Sequence, residues 1–287
     1  MRAELLSGNA ALVNGEIASS LSFRDRGLAY GDGVFETIRY QGTRAPLIGF
    51  HLDRLATGLA RLGFPEATVP VVANDVQRLA GDLLPDDQVV LKVQVTRGAG
   101  ARGYAWTTQS SPTRILSLSL APELAAGTRL LAVRRCRQQL ALQPALAGIK
   151  HLNRLEQVLA RGEWQDEDID EGILLDTHGC VVEAVASNLF WLAGGTVYTP
   201  DLSAAGVAGV MRRFVMEHLG AASIEVCEVR VGWEALQAAE AIWLTNAVRG
   251  VQPVGRLYDD SGTLCWKGGA HPRVMQLVEQ VQSVYRA

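Results

Sequence analysis

The sequence predicts a two-domain α+β protein, and three observations lead there. The 287 residues are enough for two ordinary domains, each with its own core. Strand-like runs come in groups rather than alternating strictly with helices, so a doubly wound parallel sheet fits poorly. A small-residue and proline stretch, "APELAAGT", reads as a linker at 121–127 between a small α+β domain, 1–120, and a large α+β domain, 128–287.

In the first domain, "AALVNGEIA" reads as two short strands about Asn14 and Gly15, the favoured pair for a tight hairpin turn. "GVFETIRYQGTRAPL" predicts a second hairpin turning near Gln41 and Gly42. In "FHLDRLATGLARLGF", Leu52, Leu55, Leu59 and Leu62 recur at helical spacing and the pattern ends at Gly63. "QVVLKVQVTR" and "TRILSLSLA" are strands. The second domain opens on a strand, "TRLLAVRRCRQ". A helix follows in "LAGIKHLNRLEQVLARGEW", where Leu152, Leu155, Val158 and Leu159 are spaced to bury one face. "EGILLDTHG", "CVVEAVASNLFWLAGGTVYTP" (two strands about Gly194 and Gly195) and "EAIWLTNAVRGVQPV" supply strands. "VAGVMRRFVMEHLG", "GWEALQAA" and "HPRVMQLVEQVQSVYRA" supply helices.

Composition narrows the function. Hydrophobic residues make up 48% and charged residues 20%, as in a compact soluble protein. A net charge of -3 gives no electrostatic reason to expect a nucleic acid or an anionic membrane as partner. Cys136, Cys180, Cys227 and Cys265 are scattered, without a C-x-x-C pair or metal-ligand spacing, so idle thiols in a reducing cytoplasm are expected and no metal. The N-terminal "MRAELLSGNAALVNGEIASS" has no apolar h-region, and no stretch approaches a membrane span.

One motif is rejected. "GAGARG", Gly98 to Gly103, matches G-x-G-x-x-G after a strand, but the dinucleotide fingerprint needs a helix starting inside the glycines. "YAWTTQSSPT" is too short and too rich in Ser, Thr and Pro for that helix. The stretch reads instead as a loop carrying Arg97, Arg102 and Tyr104, either a solvated turn or an anion-binding lid.

Five features carry chemistry. Lys150 precedes a helix, where the dipole disfavours positive charge; it is either a solvated lysine or an amine kept partly neutral to act as nucleophile or base. Arg54 is either an exposed arginine on an amphipathic helix or a fork suited to phosphate. Gly206 and Gly209 lead into a helix at Val210 and Met211, whose free N–H groups suit an anion unless they are plain loop-to-helix geometry. Glu183 sits in the apolar run "VVEAVASNLFWL", where a carboxylate is costly unless paired or turned outward. "WLTNAVRG" ends a strand in small polar residues, or simply turns. Together they match the needs of pyridoxal 5'-phosphate: an amine to bond, donors for its phosphate, and a carboxylate that keeps the ring nitrogen protonated.

Across "DRGLAYGDGVFETIR", "HLDRL", "TRGAGARGY", "AGIKHLNRLEQVLAR", "EAVASNLFW", "YTP", "AGVAGVMRR" and "NAVRGVQPV" the chain resembles the fold-type IV pyridoxal phosphate enzymes. These are the class IV aminotransferase family of branched-chain and D-amino-acid transaminases. "KHLNRLEQVLAR" and "RGAGARGY" are similar to the family's aminodeoxychorismate lyase branch in particular. The resemblance implies a homodimer that takes 4-amino-4-deoxychorismate, a small-molecule substrate, to 4-aminobenzoate and pyruvate in folate biosynthesis; a cytoplasmic location is the expectation from the cysteines and the missing h-region and membrane span. By the same resemblance Lys150 forms the internal aldimine, Glu183 meets the pyridine nitrogen and Arg54 the phosphate. Val210 and Met211 give backbone donors, and Asn246 or Ala247 a further phosphate contact. The active site lies between the two domains near the subunit boundary, with Tyr30 and Phe35 lining it. Where aminotransferases often place a threonine this chain has Ala247, which offers no side-chain hydroxyl. From the residues themselves, Arg97, Arg102 and Tyr104 are expected to contact the two-carboxylate substrate. An aminotransferase acting on D- or branched-chain amino acids is the second reading. A non-catalytic binder of a phosphorylated metabolite is the third, and a Schiff-base lysine argues against it.

Overall fold

The computed structural model describes every residue except 101, 108–110, 125–128, 166 and 287. The chain forms two compact units: Met1–Pro122 with Ile149–Asn153, and Glu123–Gly148 with Arg154–Tyr285. Residues 125–127 of the expected linker lie outside the described residues.

The first unit runs α1 (Arg2–Leu6), β1 (Ala11–Val13), β2 (Glu16–Ala18), α2 (Arg26–Tyr30), β3 (Gly33–Gln41), α3 (Ile48–Arg61), α4 (Thr68–Ala80), β4 (Gln88–Thr96) and β5 (Thr113–Leu120). The strands make one antiparallel sheet in the order β2-β1-β5-β4-β3. Asn14 and Gly15 turn the β1–β2 hairpin at positive φ (51° and 90°), the geometry that this residue pair tolerates best. Leu55 and Leu59 of α3 and Val72, Val76 and Leu79 of α4 pack with Val34, Ile38, Leu91 and Val93 of the sheet. The expected hairpin at Gln41 and Gly42 does not form. The whole nine-residue length of β3 finds its partners in β4, and a single Gln41–Arg44 bridge closes a turn into α3. The sequence reading also omits α4, whose Pro70 falls in the first turn, where a missing N–H costs no intrahelical bond.

The second unit runs β6 (Leu131–Leu140), α5 (Leu155–Arg161), β7 (Glu171–Asp176), β8 (Val181–Ala184), β9 (Asn188–Ala193), β10 (Thr196–Pro200), α6 (Val210–Ala221), β11 (Val226–Val229), α7 (Glu234–Gln237), β12 (Ala241–Asn246), β13 (Gly250–Tyr258), β14 (Leu264–Lys267) and α8 (Pro272–Arg286). Its mixed sheet follows β11-β10-β9-β12-β13-β6-β7-β8, with β14 paired to β13. The stretch 180–200 holds three strands rather than two. A tight turn in which the Ala184 N–H donates to the Ser187 carbonyl (2.8 Å) divides β8 from β9.

The helix reading at 152–161 is corrected. Leu155, Val158 and Leu159 are 69%, 62% and 55% exposed, and α5 turns Gln157 and Ala160 inward instead. Ala160 packs with Cys136, Leu140 and Trp164. Among the described residues no helix is long and apolar enough to cross a membrane.

Candidate active site

Lys150 belongs to an extended segment, not to a helix N-terminus. The Phe35 N–H donates to the Lys150 carbonyl and the Leu152 N–H to the Gly33 carbonyl, both at 2.9 Å. These bonds lay the lysine segment along the start of β3, and α5 begins only at Leu155. Lys150 therefore lies five residues before α5, away from the positive end of that helix's dipole. A different control replaces it: the ammonium nitrogen stands 4.3 Å from the centroid of the Phe35 ring, and Ile149 beside it is buried. The ring contact favours the cation.

Arg54 projects from α3 onto Glu36 of β3, its Nε donating to Oε1 at 2.7 Å and an Nη donating to Oε2. His51, one helical turn earlier, meets the same Oε2 through Nδ1 at 2.6 Å. Glu36 is 2% exposed and His51 1%. Burial works against the Glu36 charge, yet the Arg54 guanidinium and the His51 bond hold its carboxyl down to about 2. Burial pushes the His51 pKa below the usual value, with help from the Arg54 and Lys150 charges and against the pull of Glu36. Neither Glu36 nor His51 entered the sequence reading. The signal was present in both: a carboxylate inside an apolar strand, and a histidine three residues before Arg54 on the same helix face.

The three loop residues do not act alike. Arg97 is buried, with Nε on Asp32 (2.8 Å), one Nη on the Leu62 carbonyl (2.7 Å) and the other on that of Gly63 (3.3 Å). Its guanidinium carbon also lies 4.2 Å from the ring centroids of both Phe64 and Trp106. The expectation that Arg97 contacts substrate is corrected, because its donors already hold the end of α3 and Asp32. Arg102 is exposed, and Tyr104 is exposed with its ring 5.4 Å from that of Tyr30.

In the second unit Glu183 is buried on β8. Its Oε2 accepts the Val207 N–H at 2.8 Å, and Oε1 faces the Gln157 amide at 3.4 Å. It is thus not an outward strand residue, and Gln157 is a partner that the sequence did not reveal. The loop before α6 is shaped for close approach. A Cβ on Gly206, at φ +84°, would meet Val182 at 2.7 Å and the Glu183 carboxylate at 3.2 Å. A Cβ on Gly209 would meet Asn188 Oδ1 at 1.9 Å. Gly209 caps α6, so the amides of Val210 and Met211 have no intrahelical acceptor. Asn246 is committed to its own turn: Nδ2 donates to the Ser187 hydroxyl (3.0 Å), and Oδ1 accepts the Val248 and Arg249 N–H groups (3.0 and 2.8 Å). The Ala247 carbonyl accepts from Tyr285 (2.9 Å).

The first unit holds an amine, Lys150, and a guanidinium, Arg54; the second holds helix-start amides behind tightly packed glycines and a buried carboxylate, Glu183. Each is a kind of group that pyridoxal phosphate needs. The family model for class IV amino-transferases matches residues 33–257, most of the chain. The chain belongs to the class IV aminotransferase family. Within the family it is 33% identical over 244 residues to an aminodeoxychorismate lyase of Vibrio harveyi, covering 84% of this chain and 89% of that one. An aminodeoxychorismate lyase of Bacillus subtilis is 30% identical over 247 residues, 83% and 81% of the two chains. The crystal structure of 4-amino-4-deoxychorismate lyase from Pseudomonas aeruginosa superposes with a TM-score of 0.85 at 41% identity, covering 95% of this chain and 98% of that one. The fold-type IV, two-domain α+β class expected from the sequence is thereby met.

Proposed function

We propose that this member of the class IV aminotransferase family is a pyridoxal phosphate-dependent lyase that converts 4-amino-4-deoxychorismate to 4-aminobenzoate and pyruvate, the step expected in folate biosynthesis. The observation that carries the reading is the likeness to lyases along almost the full length of both chains, at 41% identity in one case. When bound, the cofactor supplies an electron sink for the carbanion formed at the substrate carbon.

The chain's own residues take the remaining roles. Lys150 is the amine that would hold the cofactor, and its amine takes the proton from ring carbon 4 of the substrate as general base. Glu183, buried and fixed by the Val207 amide, accepts from the pyridine nitrogen and keeps it protonated. In this reading Arg54 binds the phosphate, as do the Val210 and Met211 amides, with a further contact from Asn246 or Ala247. In this reading Tyr30 and Phe35 line the substrate side, and the exposed Arg102 and Tyr104 meet the substrate carboxylates. The enolpyruvyl C–O bond breaks as the C4 proton is lost, and the leaving group collects a proton to become pyruvate. Aromatisation drives this elimination, so no amino-acceptor is consumed.

The exposed Leu155, Val158 and Leu159 face of α5 supports a homodimer in which a second copy covers it. A monomer by sedimentation at micromolar concentration would contradict that. The four cysteines are unpaired, in keeping with the cytoplasm. The functional test is incubation with 4-amino-4-deoxychorismate and detection of 4-aminobenzoate. Wild-type release that disappears in Lys150→Ala supports the reading, and no release from the pyridoxal phosphate-loaded wild type overturns it.

A further inference from the structure

Glu36 carries a full charge inside the first unit, and such a charge costs several kcal/mol unless it is paired with good geometry. Both partners come from one face of α3, Arg54 and His51, and together they use both carboxylate oxygens. Arg54 offers Glu36 its Nε and one Nη, the fork geometry that fixes a guanidinium plane. A fork held on that edge turns its other Nη away from Glu36, in a fixed direction. His51 is buried, and because an ionised carboxylate can only accept, its 2.6 Å contact with Glu36 calls for a proton on Nδ1. The imidazole thereby pins the carboxylate from the other side. Nothing in the elimination itself requires Glu36 or His51, yet they are among the most deeply buried polar side chains of the chain.

We propose that Glu36 and His51 are positioning residues that hold Arg54 in the orientation in which it grips the cofactor phosphate, His51 acting through the Glu36 carboxylate. This rests on the reading that Arg54 binds that phosphate. The role differs from a general contribution to folding, because it acts on the phosphate and on no other part of the cofactor. Outer partners of a binding group typically change affinity by about 10–100-fold when removed.

The test is direct binding to the full-length apo chain, read by quenching of tryptophan fluorescence, with pyridoxal phosphate and with pyridoxal as paired probes. Glu36→Gln keeps the shape and removes the charge; it is expected to weaken pyridoxal phosphate by about 10–100-fold and to leave pyridoxal unchanged. His51→Leu should do the same to a smaller degree. His51→Asn, which keeps a donor near the Nδ1 position, should restore much of the loss. The His51 pair keeps the proposal testable should Glu36→Gln not fold. Wild-type affinity in Glu36→Gln and His51→Leu, or equal weakening of both probes, overturns the proposal. Arg54→Met separates it from the underlying reading. If Arg54→Met abolishes the preference for the phosphorylated probe while the Glu36 and His51 variants keep it, only the positioning role fails. If Arg54→Met leaves the preference intact, the phosphate reading fails and the proposal with it.

Discussion

Arg97→Ala separates a residue that builds the first unit from one that binds substrate. The side chain removed is buried, pairs with Asp32 through Nε, bonds the Leu62 and Gly63 carbonyls at the end of α3, and lies between Phe64 and Trp106. Burial raises the Asp32 pKa, but the Arg97 and Arg26 bonds together hold it below the usual carboxylate range. Removing one partner of a buried ion pair costs about 3–5 kcal/mol. Arg26 still reaches Asp32 at 2.8 Å in the variant, which argues for the lower end, about 3 kcal/mol. For a chain of this size that lowers Tm by about 6–12 °C. Thermal melting followed by circular dichroism, beside KM for 4-amino-4-deoxychorismate at a temperature where both forms are folded, gives the answer. The expected result is a lowered Tm with KM little changed. An unchanged Tm with a raised KM would refute the structural assignment and return Arg97 to the substrate.

Two further outcomes follow from the same geometry. Glu183→Gln should retain the cofactor yet slow the chemical step about 10–100-fold, since a neutral amide forfeits roughly 1.5–3 kcal/mol of charged hydrogen bonding; unchanged single-turnover rates would show that Glu183 has no such role. Burial pushes Glu171 up to about 7, against the Gly172 and Ala186 amides that bond it. Because its folded pKa lies above the unfolded one, its contribution to stability is fully present below pH ~4.5 and fades as pH rises through about 7. Glu171→Gln should flatten that decline in denaturant midpoint between pH 5 and 8, and a slope identical to wild type would exclude Glu171 as its source.

Glu183 was legible as a carboxylate in an apolar run, and the structure buries it with the Val207 amide as partner. Lys150 stood out for a helix N-terminus that it does not occupy, since α5 begins only at Leu155. The helix at 155–161 was misread for a physical reason. Apolar spacing reports that a face needs covering, but not what covers it, and here Gln157 and Ala160 face the sheet while the leucines face outward. The expected second hairpin failed because a local turn at Gly42 competes with nine residues of β4, a partner more than 40 residues away that local reading does not weigh. Glu36 was missed although the rule that found Glu183 applies to it, and His51 was missed although it stands three residues before Arg54 on the same face of α3. Arg97 looked like a loop cation, since sequence alone does not show that Asp32 and two helix-end carbonyls converge on it.

The central claim is that the chain catalyses elimination rather than amino transfer. The most direct measurement is the stoichiometry of products from purified protein loaded with pyridoxal phosphate and given 4-amino-4-deoxychorismate without any keto acid. An eliminating enzyme releases 4-aminobenzoate and pyruvate in equal amounts, sustained over many turnovers. Turnover that stops after one equivalent and resumes only when a keto acid is added would contradict it and identify an aminotransferase.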